Sequence, residues 1–135
     1  DKISLYDPAV YENGLSLITS SIRRNRPDTI CPQVKSLNYL NNILAKVEAV
    51  RQGAAEALML NDQGNVAECT GDNIFIVKDG TVYTPPVTDG ALDGITSRVV
   101  LEICREQQIP AEEKTMNRFT VTCADECFMT GTAAK

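Results

Sequence analysis

The stretch EALMLNDQGNVAECTGDNIFIVKDGTVYTPP, residues 56–86, decides the fold. EALML reads as a short strand, and NDQGN as a turn whose glycine takes the left-handed position. VAE resumes extended chain and ends at Glu68. NIFIVKDGTVYTPP is a hairpin, two strands joined by Asp-Gly and stopped by Pro85 and Pro86. Strands are therefore expected over residues 56–60, 65–68, 73–77 and 81–84, with another over 126–130 in ECFMTG. Hairpin connections disfavour a purely parallel sheet. The expected class is α+β: one mixed, largely antiparallel, barrel-like sheet with helices packed on it.

Upstream, LSLITSSI reads as a strand running to about Ile22. It ends at Arg23, Arg24 and Arg26, which read as a solvated turn, and RPDTICPQ is a loop. From Ser36 to about Gly53 the residues Leu37, Leu40, Leu44, Val47 and Val50 recur at three- and four-residue steps. That spacing predicts a helix burying this stripe, with Ser36 as its cap. A second helix is expected from about Thr96 to Gln108, burying Val99, Val100, Ile103 and Cys104. NRFTVTCAD reads as a short helix.

The chain has 135 residues, 43% of them hydrophobic, enough for one domain with a core. Lys+Arg 13 against Asp+Glu 18 gives a net charge of -5, which argues against a nucleic-acid partner. No apolar run reaches the roughly 18 to 20 residues that span a bilayer, and no membrane partner is expected. The start, DKISLYDP, has no signal-peptide pattern and does not begin with Met, so it reads as part of something longer. Five cysteines without a CxxC pair suit reduced thiols and a cytoplasmic setting. Histidine is absent, which excludes Ser-His-Asp and Cys-His catalysis and any His-ligated metal. No metal site is expected. Acid–base work falls to Lys, carboxylate, Tyr or Cys side chains.

Four positions carry candidate chemistry. Lys35 stands just before the first long helix. Glu68 ends a strand beside a small-residue loop; it is either a solvated carboxylate or the partner of a buried cation such as a protonated ring nitrogen. LDGITSR runs from a glycine into a helix, so Thr96 either caps that helix or helps seat a phosphate on its N–H groups. MTGTAA, with Thr132, either closes around the same anion or is only a turn. There is no GxGxxG and no Walker motif. Amine, carboxylate and anion seat together suit pyridoxal 5'-phosphate, which needs a Schiff-base lysine, a partner for its ring nitrogen and a phosphate site. On spacing alone, other small-molecule enzymes stay open.

The ordered series KSLNYL, EALMLNDQGNVAECTGDNIFIVKDG, TPP, LDGITSRVV and ADECFMTGTAA, within residues 20–135, resembles the class IV aminotransferases, the fold-type IV pyridoxal-phosphate enzymes. AECTGDNIFIVKDG and MTGTAA are most like the branched-chain amino acid members, while KSLN is more like the D-amino acid aminotransferase and aminodeoxychorismate lyase. The resemblance implies that Lys35 forms the Schiff base and shuttles the proton, and that Glu68 faces the ring nitrogen. It implies phosphate contacts from Ile95, Thr96 and Thr132, a tyrosine at Tyr39 against the phenolic oxygen, and Ala133 near the substrate carboxylate. Two positions depart from the family pattern: Lys135 stands where glutamate is usual, and Cys69 where serine or glycine is usual. The implied activity is transamination between a branched-chain or other aliphatic amino acid and 2-oxoglutarate. D-amino acid transamination, lyase action and a non-catalytic assembly domain are the alternatives. Residues 1–135 then make a single large domain, short of a small N-terminal domain and the extreme C-terminus, in a parent expected to be a homodimer.

Overall fold

The computed structural model describes residues 8–132. Helix α1 (Pro8–Asn13) leads into strand β1 (Leu17–Thr19), helix α2 (Leu40–Arg51), strands β2 (Glu56–Leu60), β3 (Val66–Cys69), β4 (Asn73–Lys78) and β5 (Thr81–Thr84), and a 3-10 turn at Val87–Asp89. Helix α3 (Ile95–Glu106), strand β6 (Ala111–Glu113), helix α4 (Arg118–Thr122) and strand β7 (Glu126–Thr130) complete it.

The class is mixed α/β as expected, but the strands form two sheets, ordered β1-β2-β3 and β6-β5-β4-β7, and no barrel closes among the described residues. The expectation of one barrel-like sheet is corrected. The chain turns sharply between β3 and β4, where the Cys69 N–H donates to Asp72 O at 2.9 Å, and the ladder restarts with new partners. Pairing is mainly antiparallel. Two pairs are parallel, β1 with β2 and β5 with β6, and each is joined through a helix, α2 and α3. That is what a parallel pair requires, since a tight turn cannot connect it.

Local chemistry explains the hairpin. Asp79 and Gly80 both take positive φ, 49° and 75°, the twist that suits a two-residue turn between strands. Strand β4 is the centre of its sheet: Ile74, Phe75 and Ile76 are fully buried. Phe75 stacks on Phe128 of β7 with ring centroids 5.0 Å apart. Burial of each such side chain contributes about 1.5–3 kcal/mol.

Both long helices depart from expectation. Helix α2 begins at Leu40, after Tyr39, and Ser36 does not cap it; its hydroxyl accepts from the Asn38 N–H at 3.3 Å. Its buried positions are Asn42, Ala45 and Ala49, and Ala49 packs with Ala54 and Ala57 in one apolar cluster. The methyl groups let the helix lie close to β2. The larger stripe, Leu37, Leu40, Leu44, Val47 and Val50, is exposed. In α3, Cys104 is buried and Val100 packs on the Phe75 cluster, while Val99 and Ile103 face outward. No helix of the described residues is long and apolar enough to cross a membrane.

Candidate active site

A cavity of about 390 Å³ opens between the irregular segment before α2, the end of β3, the first turn of α3 and the loop after β7. Lys35, Tyr39, Glu68, Ile95, Thr96 and Thr132 all line it, so the described residues to which the resemblance gives a site role meet in one place. Ala133 lies outside the described residues.

Glu68 is not a solvated carboxylate. It is 5% exposed and holds three hydrogen bonds. Oε1 accepts from Arg24 Nη2 in a close ion pair; Oε2 accepts from Asn73 Nδ2 at 3.0 Å and from the Leu92 N–H at 3.0 Å. Burial lifts its carboxyl above the ordinary carboxylate value, and Arg24, the Leu92 N–H and the charge of Lys35 pull it back down. Cys69, next in sequence, is fully buried, and its thiol is pushed well above the ordinary range by burial and neighbouring carboxylates. That thiol is sheltered from the oxidation that would disturb Glu68.

Arg24, Asn73 and the Leu92 N–H were missed by sequence reasoning, and Arg24 overturns the reading of its cluster as a solvated turn. Arg24 is 8% exposed. Pairing to β2 does not stop with β1: the Ser20 N–H donates to Leu58 O at 2.9 Å and, after a bend at Ser21 and Ile22, the Arg24 N–H donates to Leu60 O at 2.9 Å. Along this stretch burial alternates, with Ser20 and Arg24 buried and Ser21 and Arg23 exposed.

The anion seat has the expected parts. Helix α3 starts after Gly94 and no side chain caps it, so Thr96 is not the cap of its own helix. The N–H groups of its first turn have no acceptor within the helix and open at the cavity wall. A Cβ on Gly94 would lie 2.0 Å from Asn73 Oδ1, and one on Gly131 would lie 1.9 Å from Asp72 Oδ1. Any larger residue at either place would have to push those side-chain oxygens aside. The Thr130 hydroxyl, on a residue lining the same cavity, is buried and lacks a hydrogen-bond partner among the described residues.

Lys35 sits differently. Its residue is exposed, in a segment of turns and bends held by short contacts such as Val34 N–H to Cys31 O at 3.0 Å and Ser36 N–H to Val34 O at 2.7 Å. Its Nζ lies 6.0 Å from the centroid of the Tyr39 ring. The site therefore offers an amine at one side, a buried, hydrogen-bonded carboxylate at another, and a helix end ready for an anion at a third.

Comparison with known proteins matches the chain to a family. Residues 2–135 match the family Amino-transferase class IV. A putative branched-chain-amino-acid aminotransferase of Methanocaldococcus jannaschii is 48% identical over 128 residues, covering 95% of this chain and 44% of that protein. The crystal structure of branched-chain aminotransferase from Thermoproteus uzoniensis with norvaline superposes with a TM-score of 0.88 at 43% identity, over 90% of this chain and 41% of that one. The branched-chain amino acid aminotransferase from Thermobaculum terrenum, in its PLP-form, gives 0.89 at 38% identity, over 93% and 42%. The chain spans less than half the length of each of these relatives. It belongs to the class IV aminotransferase family, and within it is most similar to the branched-chain amino acid enzymes.

Proposed function

We propose that the full-length protein carrying this chain is a pyridoxal-phosphate-dependent aminotransferase that moves an amino group between a branched-chain or other aliphatic amino acid and 2-oxoglutarate. The observation that carries the proposal is the meeting of Lys35, Glu68 and the uncapped start of α3 around one cavity.

The residues present fit pyridoxal 5'-phosphate. The first turn of α3 at Ile95 and Thr96, together with Thr132 in the same cavity wall, would take the phosphate. The unpartnered Thr130 hydroxyl, on a residue lining the same cavity, suits the approach of an anion to this helix end. Glu68 would face the ring nitrogen, and Tyr39, near Lys35, the phenolic oxygen. When bound, the cofactor supplies an electron sink for the pair left when a substrate Cα–H is broken.

Lys35 has two duties in this reading. Its Nζ would hold the cofactor, and as a free base within the cavity it would take the proton from the substrate Cα. Glu68 stays put throughout, fixed by its three donors. Ala133, beyond the described residues, would meet the substrate carboxylate. The same amine then serves the keto-acid half of a two-step exchange, in a parent we expect to be a homodimer.

The test uses the purified full-length protein with added pyridoxal phosphate. A visible band of lysine-bound cofactor is expected, and its absence in Lys35→Ala. The band should be discharged by L-leucine and L-glutamate. Discharge by D-alanine alone, or release of pyruvate from aminodeoxychorismate, would reassign the activity within the family. A folded wild-type protein with no such band would end the proposal.

A further inference from the structure

Arg24 has no place in the roles assigned so far, yet it is the most constrained cation at the site. Its Nε donates to Gly90 O at 3.0 Å, and its Nη2 pairs with Glu68 Oε1. Gly90 sits at φ 105°, and a Cβ there would come within 3.2 Å of Arg24 Cγ, so the backbone at Gly90 is shaped to let the arginine lie against it. A buried ion pair is weak evidence of stability, because desolvating two charges offsets most of their attraction. Its presence in the wall of a cavity calls for another reason.

Hydrogen-bond counting supplies one. An ionised carboxylate has about four acceptor positions. On Glu68 two are taken on Oε2 and one on Oε1. The remaining position, on Oε1, is left for a donor arriving through the cavity that Glu68 lines. A protonated carboxyl there would itself be a donor and would no longer hold a proton on a ring nitrogen. Burial pushes Glu68 toward that protonated form, and two cations oppose it. One is Lys35, from the segment before α2, exposed and committed to covalent work; the other is Arg24, from the path after β1, buried and anchored at both ends.

We propose that Arg24 is a positioning residue that keeps Glu68 a charged, aimed acceptor, with or without cofactor, so that the ring nitrogen meets a carboxylate and keeps its proton. The ring-nitrogen half of this proposal rests on the function proposed above.

The experiment takes the full-length protein as wild type, Arg24→Gln, Arg24→Lys, Glu68→Gln and the double variant Arg24→Gln/Glu68→Gln. Infrared spectra of the cofactor-free proteins at neutral pH should show a protonated-carboxyl band in Arg24→Gln. The band should be absent from wild type, from Arg24→Lys and from the double variant, which assigns it to Glu68. With cofactor, the pH at which the visible band changes should move by about one unit or more in Arg24→Gln and be largely restored in Arg24→Lys. The dissociation constant for pyridoxal phosphate should rise roughly tenfold or more.

A folded Arg24→Gln with no carboxyl band and an unchanged pH profile overturns the proposal. If that variant does not fold, wild type decides alone: a carboxyl band at neutral pH that Glu68→Gln removes would show Glu68 neutral despite Arg24, and overturns it equally. If wild type takes up no cofactor on Lys35, the functional reading falls and takes the ring-nitrogen half with it. The carboxyl band in Arg24→Gln would still establish Arg24's hold on Glu68.

Discussion

The two sides of the cavity are built on different terms. Glu68 stands at the end of a sheet strand, nearly excluded from water, with all but one acceptor position filled by groups from the path after β1, from β4 and from the loop before α3. Lys35 stands on irregular chain, exposed, with a neighbouring ring as its described contact. Under the proposed function the contrast follows the work. A group that only holds a charge gains from being fixed, because its surroundings then need no rearrangement during reaction. A group that must bond, release and carry a proton gains from a mobile stem. Preorganisation is concentrated at the carboxylate.

That contrast predicts unequal responses to substitution. The largest is expected for Glu68→Ala, which strands Arg24 as a buried unpaired charge. It should cost roughly 3–5 kcal/mol of stability in a denaturant titration and abolish tight cofactor binding. Lys35→Ala should remove cofactor attachment yet leave the unfolding midpoint close to wild type, since an exposed side chain is lost. Equal stability losses at the two positions would break the comparison. Gly94→Ala comes next: its methyl group meets Asn73 Oδ1, and overpacking of this kind costs about 1–3 kcal/mol. Weakened cofactor binding should accompany it, because Asn73 also holds Glu68.

A smaller effect sharpens the point through pH. Burial raises the Glu68 carboxyl in the folded state above its unfolded value, so the folded protein binds the extra proton between the two. This group's contribution to stability is therefore full below the ordinary carboxylate value, falls as pH rises toward the raised value, and is flat beyond. Glu68→Gln should remove that slope from the pH dependence of unfolding; an unchanged slope would mean the burial has no thermodynamic weight. The smallest response is expected at Arg26→Ala. Its pairs with Asp28 and Asp62 lie on exposed side chains, and the thermal midpoint should not move measurably.

The sequence was most legible where periodicity and turn chemistry act locally. The Asp79-Gly80 hairpin and the strands on either side follow from the apolar run of β4, the prolines that stop β5 and the two turn residues that tolerate positive φ. The convergence of Lys35, Glu68, Thr96 and Thr132 was legible because each belongs to an ordered motif of the family. The helix stripes were misread because periodicity gives a helix its faces without saying which one meets the sheet. In α2 the alanines make the contact, since small residues allow a closer approach than leucine. Division into two sheets depends on where pairing restarts after the Cys69–Asp72 turn, which no single strand encodes. Arg24 was hidden for a similar reason: its partner lies 44 positions away, and a run of arginines resembles any wet surface.

Asp72 and Asn73 are neighbours in the chain at the entry to β4, and each fills the space a side chain would need in a different loop, Gly131 for one and Gly94 for the other. Consecutive Cα atoms are about 3.8 Å apart across a trans peptide. The loops at Gly94 and Gly131 are thus each set against one of two adjacent residues, so a shift of the chain at the entry to β4 would be felt in both.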